Sequence, residues 1–145
     1  MSGKKLTCLE CGQVNRVPAE RFSDNPKCGI CGAALFSRKP RAVDTETLLK
    51  ASRNDEVPLV VDFWAPWCGP CRQMAPEFEK AASALGTGAR LVKLDTEANP
   101  QAGARWNIRS IPTLALFLNG KEQSRAAGAR PAAAIADFAR VKSSR

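Results

Sequence analysis

The six cysteines of this 145-residue chain fall as three Cys-x-x-Cys pairs, Cys8/Cys11, Cys28/Cys31 and Cys68/Cys71, and no histidine accompanies them. In an oxidising compartment six cysteines suggest three disulfides; in a reducing one they suggest metal or redox chemistry. Without histidine, no zinc site can be of the Cys/His type, and proton transfer must use carboxylates, lysines, thiols or water. The opening Met1-Ser2-Gly3-Lys4-Lys5-Leu6 holds no apolar segment of the signal-peptide kind. No apolar run approaches the roughly 20 residues of a membrane helix. A cytoplasmic protein with no membrane partner is expected.

Local context separates the pairs. Cys8-Leu9-Glu10-Cys11-Gly12 and Cys28-Gly29-Ile30-Cys31-Gly32 form a small duplication, with a polar stretch containing Pro18, Asp24, Asn25 and Pro26 between them. That stretch suits loops and short strands. Each pair can supply one side of a tetrahedron, and the glycine after it permits the tight turn that brings N–H groups towards sulfur. So small a module, with few large apolar side chains, scarcely folds without a metal or disulfides. Residues 1–37 are therefore read as a structural zinc ribbon, with Cys8, Cys11, Cys28 and Cys31 holding one Zn2+. Two disulfides, or redox pairs in their own right, are the alternatives; neither suits a reducing compartment with no strand–helix context around the pairs. Ser37-Arg38-Lys39-Pro40-Arg41 is charged and broken by proline, so residues 38–43 are read as a linker and 44–145 as a second domain.

From Asp44 onwards the pattern is regular. Asp44 caps a helix carrying Leu48 and Leu49. Val57-Pro58-Leu59-Val60-Val61-Asp62-Phe63-Trp64 reads as a buried strand. Cys71, Met74, Ala75, Phe78, Ala81, Ala82 and Leu85 then recur with helical period, around a kink expected at Pro76 and a stop at Gly86 and Gly88. Arg90–Asp95 and Thr113–Leu118 read as strands, and Asn99-Pro100 opens a short helix. Asn119-Gly120 signals a hairpin into Lys121–Ala127. Pro131 opens a last helix with Ile135, Phe138 and Ala139 on one face, and Arg140 and Lys142 near its end. Alternating strands and helices closing on a hairpin give an α/β fold with a mixed sheet flanked by helices.

The third pair, Trp67-Cys68-Gly69-Pro70-Cys71, joins a buried strand to an amphipathic helix. A thiol at a helix start faces unpaired N–H groups and the positive end of the helix dipole, both of which favour thiolate. Cys68 is thus the nucleophile, and Cys71, one turn inward, can close the ring as a redox-active disulfide. Asp62 is the sole charge in its apolar run; burial would raise its pKa and fit it to take the Cys71 proton.

Residues from about 42 to 143 resemble thioredoxin, through Val61-Asp62-Phe63-Trp64-Ala65, Trp67-Cys68-Gly69-Pro70-Cys71, Ile111-Pro112-Thr113 and Asn119-Gly120. The whole chain resembles the bacterial thioredoxin class that bears a zinc ribbon. The resemblance implies a thioredoxin fold behind the ribbon, and a protein-disulfide reductase working through the Cys68/Cys71 dithiol. It implies a cis bond before Pro112 and a lysine, Lys93, beside Asp62. It also implies a client-docking surface around Trp67, Gly69, Pro70, Ile111, Pro112 and Gly128. The implied partners are disulfide-containing client proteins and an NADPH-dependent thioredoxin reductase, with the chain acting as a monomer. A Gly-Pro spacer without histidine argues for a reductase over a strong oxidant.

Charge frames the one reading of another class. The formal charge is +8, of which +5 lies in residues 1–41, where eight Lys/Arg face three Asp/Glu. A zinc-ribbon adaptor for nucleic acid or protein, on a thioredoxin-like scaffold, is the alternative. Only Phe22 and Phe36 are available there for base stacking, so a solvated basic surface is preferred over a nucleic-acid site.

Overall fold

The structure, a computed structural model, describes residues 3–140; Lys142, expected near the end of the last helix, lies outside them. The first cysteine pair follows β1 (Lys4–Thr7), which pairs antiparallel with β2 (Val14–Val17). A 3-10 turn over Ala19–Asp24 and a single bridge, Lys27 to Ala34, complete the ribbon. The remainder builds a five-stranded sheet from β3 (Arg41–Ala42), β4 (Leu59–Trp64), β5 (Arg90–Asp95), β6 (Thr113–Leu118) and β7 (Lys121–Ala127). Its order is β3-β5-β4-β6-β7, with β3, β5 and β4 parallel and β6 and β7 antiparallel. Residues 38–43 were expected to be a linker, yet Arg41 and Ala42 lie in the sheet. So short an edge strand, directly after Pro40, leaves no period to read.

The runs of β4, β5 and β6 are buried on both faces because helices cover both. On one face Leu59, Val61, Phe63, Val92, Leu94 and Ala115 pack under α1 (Thr45–Asn54) and α3 (Pro100–Arg105). On the other, Val60, Leu91, Leu114 and Leu116 meet Met74, Phe78 and Ala81 of α2 (Gly69–Leu85) and Ile135 and Ala139 of α4 (Ala132–Ala139). The caps follow local chemistry. The Asp44 carboxylate accepts from the Thr47 N–H at 2.8 Å, and Gly86, with φ +57°, ends α2. Pro76 sits inside α2, which continues through it. No helix among the described residues is long and apolar enough to cross a membrane.

The ribbon is built into this body. Its core of Leu6, Cys8, Val17, Cys28 and Leu35 includes Val57, from the segment before β4. The Lys5 carbonyl accepts from the Glu56 N–H at 2.9 Å, and the Lys5 N–H donates to Glu56 Oε1 at 2.9 Å. Beside them lies a buried ion pair. Arg90 Nη1 donates to Asp55 Oδ2 at 2.6 Å and Nη2 to the Thr7 carbonyl at 2.9 Å, while the Thr7 N–H donates to Asp55 Oδ1 at 2.8 Å. Burial pushes the Asp55 carboxyl above its usual value; Arg90 and the Thr7 amide hold it back. Each charge is thus paired and hydrogen-bonded, the condition under which burying it is tolerable. Arg41 also pairs with Glu10, and Leu9 packs on the core under α1.

Asp55 and Arg90 stand at the ends where β4 and β5 begin. The third cysteine pair follows the end of β4, about 20 Å away at roughly 3.3 Å per strand residue.

Candidate active site and metal centre

Strand β4 delivers the site and α2 opens it. Cys68 is the N-cap of α2, and the Cys71 N–H donates to its Sγ at 3.2 Å, with Pro70 in the first turn. The two cysteines are joined as a disulfide with Cα atoms 5.2 Å apart. Both are buried, Cys71 at 2% exposure slightly more so than Cys68 at 5%. Across from them the Ile111–Pro112 bond is cis, and the Ile111 carbonyl lies 3.8 Å from Cys68 Sγ. Trp67, beside the pair, is 67% exposed, an unusual position for so large an apolar ring. Pro70 and Gly128 are exposed, Gly69 and Ile111 partly so, and Pro112 is buried. The Gly128 N–H, at φ +98°, donates to the Pro112 carbonyl at 2.9 Å, which ties the end of β7 to the loop before β6.

Asp62 lies in mid-β4, 1% exposed. Strand alternation puts it on the face of Val60, the α2 side, two residues closer to the redox turn. Its Oδ1 has no hydrogen-bond partner among the described residues. Burial pushes the carboxyl up to about 7, against a smaller opposing pull from Lys93. Lys93 is the residue paired with Asp62 across β4 and β5; its ammonium lies 4.5 Å from the centre of the Trp64 ring.

The loop from α3 to β6 was not read as a unit from sequence. Arg125, on β7, donates from Nη2 to the Trp106 carbonyl at 2.7 Å and from Nη1 to the Asn107 carbonyl at 2.9 Å. Glu122 grips the other edge of the same guanidinium at 2.7 and 3.0 Å. An alternation-poor strand of exposed residues gives no sign of such a reach.

In the ribbon, the Sγ atoms of Cys8, Cys11, Cys28 and Cys31 all lie within 4.8 Å of one another. The Cys8–Cys31 and Cys11–Cys28 sulfurs are 3.6 Å apart, well beyond a disulfide bond. A tetrahedral zinc site with Zn–S of about 2.3 Å has sulfur–sulfur edges of about 3.8 Å, so the donor set fits a thiolate-bound metal ion. Backbone N–H groups already point at it: Cys11 N–H to Cys8 Sγ at 3.5 Å and Ile30 N–H to Cys28 Sγ at 3.4 Å. The N–H groups of Cys31 and Ile30 favour the thiolate of Cys28.

Comparison with known proteins agrees with both halves. A family model described as "Thioredoxin" matches residues 41–141, and one described as "Thioredoxin 2, N-terminal" matches residues 7–33. The chain is similar to thioredoxin C-3 of Corynebacterium nephridii, 40% identical over 124 residues that span 86% of this chain and 85% of that one. It is 42% identical over 122 residues to the chloroplastic M-type thioredoxin of Chlamydomonas reinhardtii, spanning 82% and 87% of the two chains. Among solved structures it resembles chloroplastic thioredoxin z, with TM-score 0.65 and 33% identity over 70% of this chain and 91% of that one.

Proposed function

Because this chain belongs to the thioredoxin family and is a thiol–disulfide oxidoreductase with its dithiol at Cys68 and Cys71, we propose that it reduces disulfides in client proteins. The observation that carries this reading is the place of Cys68. Its sulfur caps α2, accepts from the Cys71 N–H, and sits beside the Ile111 carbonyl.

In the reduced protein the helix N-terminus favours Cys68 as thiolate. That thiolate attacks one sulfur of a client disulfide; the S–S bond breaks and the other client sulfur leaves as a thiolate. Asp62, its carboxyl raised by burial, accepts the Cys71 proton. The Cys71 thiolate then attacks Cys68, the client sulfur departs, and the Cys68–Cys71 disulfide remains. Two electrons have passed to the client. Lys93 draws the Asp62 carboxyl down against the larger effect of burial. Trp67, Gly69, Pro70, Ile111, Pro112 and Gly128 form the docking surface, with the Ile111 backbone offered to an extended client segment as an added strand.

The electrons return from NADPH through a thioredoxin reductase, and the cycle belongs to a reducing compartment, the cytoplasm. Cys8, Cys11, Cys28 and Cys31 hold one Zn2+, a closed four-sulfur site of the structural kind. Insulin reduction with NADPH and thioredoxin reductase tests the reading. Turnover by the wild type that disappears in Cys68→Ser supports it; a folded, metal-loaded wild type without turnover overturns it.

A further inference from the structure

The segment between α3 and β6 carries Ile111 and Pro112; Trp106 and Ile108 pack on the core under α1, and the chain then runs along a cleft. Residues Ile108 to Ile111, with Thr96 and Gly103, line a cleft of about 220 Å3.

Both ends are held by the same edge strand. At the far end, Thr113 pairs with Ala127, the Gly128 N–H reaches the Pro112 carbonyl, and the Thr113 hydroxyl donates to the Ser110 carbonyl at 2.6 Å. At the near end, α3 stops at Trp106, whose carbonyl and that of Asn107 have passed beyond the helical ladder. Asn107 takes the left-handed conformation, φ +54°. Arg125 binds both carbonyls with one planar group, while Glu122 takes two further donors of the same fork. Four of the five guanidinium N–H donors are therefore used, at distances of 2.7–3.0 Å. Trp106 adds a ring contact with Phe63 of β4, centroids 5.8 Å apart.

We propose that Arg125 is a positioning residue for client docking, its guanidinium fixing the near end of the loop that presents Ile111 and Pro112. Arg125 does not touch the client. It reduces the ordering that the loop must undergo when a client strand lies along Ile111. This rests on the docking surface proposed above, and it predicts a selective defect. A small aromatic disulfide reacts at Cys68 without laying a chain on the loop; a protein client needs the loop in place.

The test uses prereduced full-length protein with its metal in place, in single turnover, followed by tryptophan fluorescence against increasing client concentration. Arg125→Leu keeps the apolar stem and loses the fork; Arg125→Lys keeps the charge but cannot span two carbonyls and a carboxylate. Both variants are expected to raise the half-saturating insulin concentration about 3- to 10-fold, the equivalent of ordering one or two extra side chains on docking. The saturating rate, the rate with dithiobis(nitrobenzoate), and the equilibrium with glutathione should stay within about twofold of wild type. Unchanged insulin saturation overturns the proposal. So does a parallel loss towards insulin and the small disulfide, which marks a general structural role. Failure of the wild type to reduce insulin at all instead removes the docking reading itself.

Discussion

Replacing Asp62 by alanine should make the protein more stable, and by an amount that depends on pH. Asp62 has a folded-state pKa of about 7 against a reference value of 3.8. The unfolded chain therefore releases its proton near pH 4, while the native state holds the proton until about pH 7. Below pH 4 both states hold the proton and this pH-dependent difference vanishes. Between those values each pH unit removes about 1.4 kcal/mol of wild-type stability, and above pH 7 the loss levels off at about 4 kcal/mol. Alanine has no proton to hold. Its small loss of packing is the same at every pH, and the other buried carboxyl, Asp55, titrates alike in both proteins. The advantage of Asp62→Ala over wild type should therefore grow by about 2 to 3 kcal/mol between pH 5 and pH 8. Urea denaturation of both oxidised proteins reads this as midpoints diverging by about 1 to 2 M at ordinary slopes. Midpoints that run parallel across this range, or a wild type that gains on the variant as pH rises, would refute the argument from burial. The same substitution should slow release of client from the mixed disulfide.

Cys71→Ser should trap that mixed disulfide, visible as a client adduct on a non-reducing gel that disappears with dithiothreitol. Trp67→Ala removes the exposed ring beside the redox pair, so its half-saturating client concentration should rise while the redox equilibrium stays put. Arg90→Leu leaves Asp55 buried without its partner and should cost about 3–5 kcal/mol in urea denaturation; a loss below 1 kcal/mol would mean that the pair is open to water. Metal analysis should find one zinc per chain, and Cys28→Ser should lose it together with a lowered Tm, because the ribbon core shares Val57 with the rest of the molecule.

The regular elements were legible because their signals are local. The spacing of Met74, Phe78 and Ala81, the Asp44 cap and the Asn119-Gly120 turn each lie within a few residues of what they specify. The redox turn was legible for the same reason, since a strand, Cys68–Cys71 and a helix are consecutive. Asp62 stood out as a lone charge in an apolar run. What was hidden depends on distance along the chain. Arg90 and Asp55 are 35 residues apart and Thr7 is 83 residues from Arg90, so no window shows that a charge at the head of a strand is buried. Nothing beside Arg125 in the sequence marks it out; only the fold brings it to the end of α3. The basic surplus of residues 1–41 likewise did not reveal that Arg41 pairs with Glu10.

The buried joint at Thr7 also bears on the order in which the chain is made. All four clustered sulfurs lie within a span closed by Cys8 and Cys31, 23 positions apart. A metal can therefore be captured as soon as that short stretch leaves the ribosome. Thr7, by contrast, acquires its last partner only when Arg90 emerges, and Val57 must arrive before the ribbon core is sealed. A metal-closed ribbon would thus exist for seconds as a preformed surface, at synthesis rates of roughly 5–20 residues per second. The first-made part of the molecule would then be the bed onto which the start of β4 and β5 is laid.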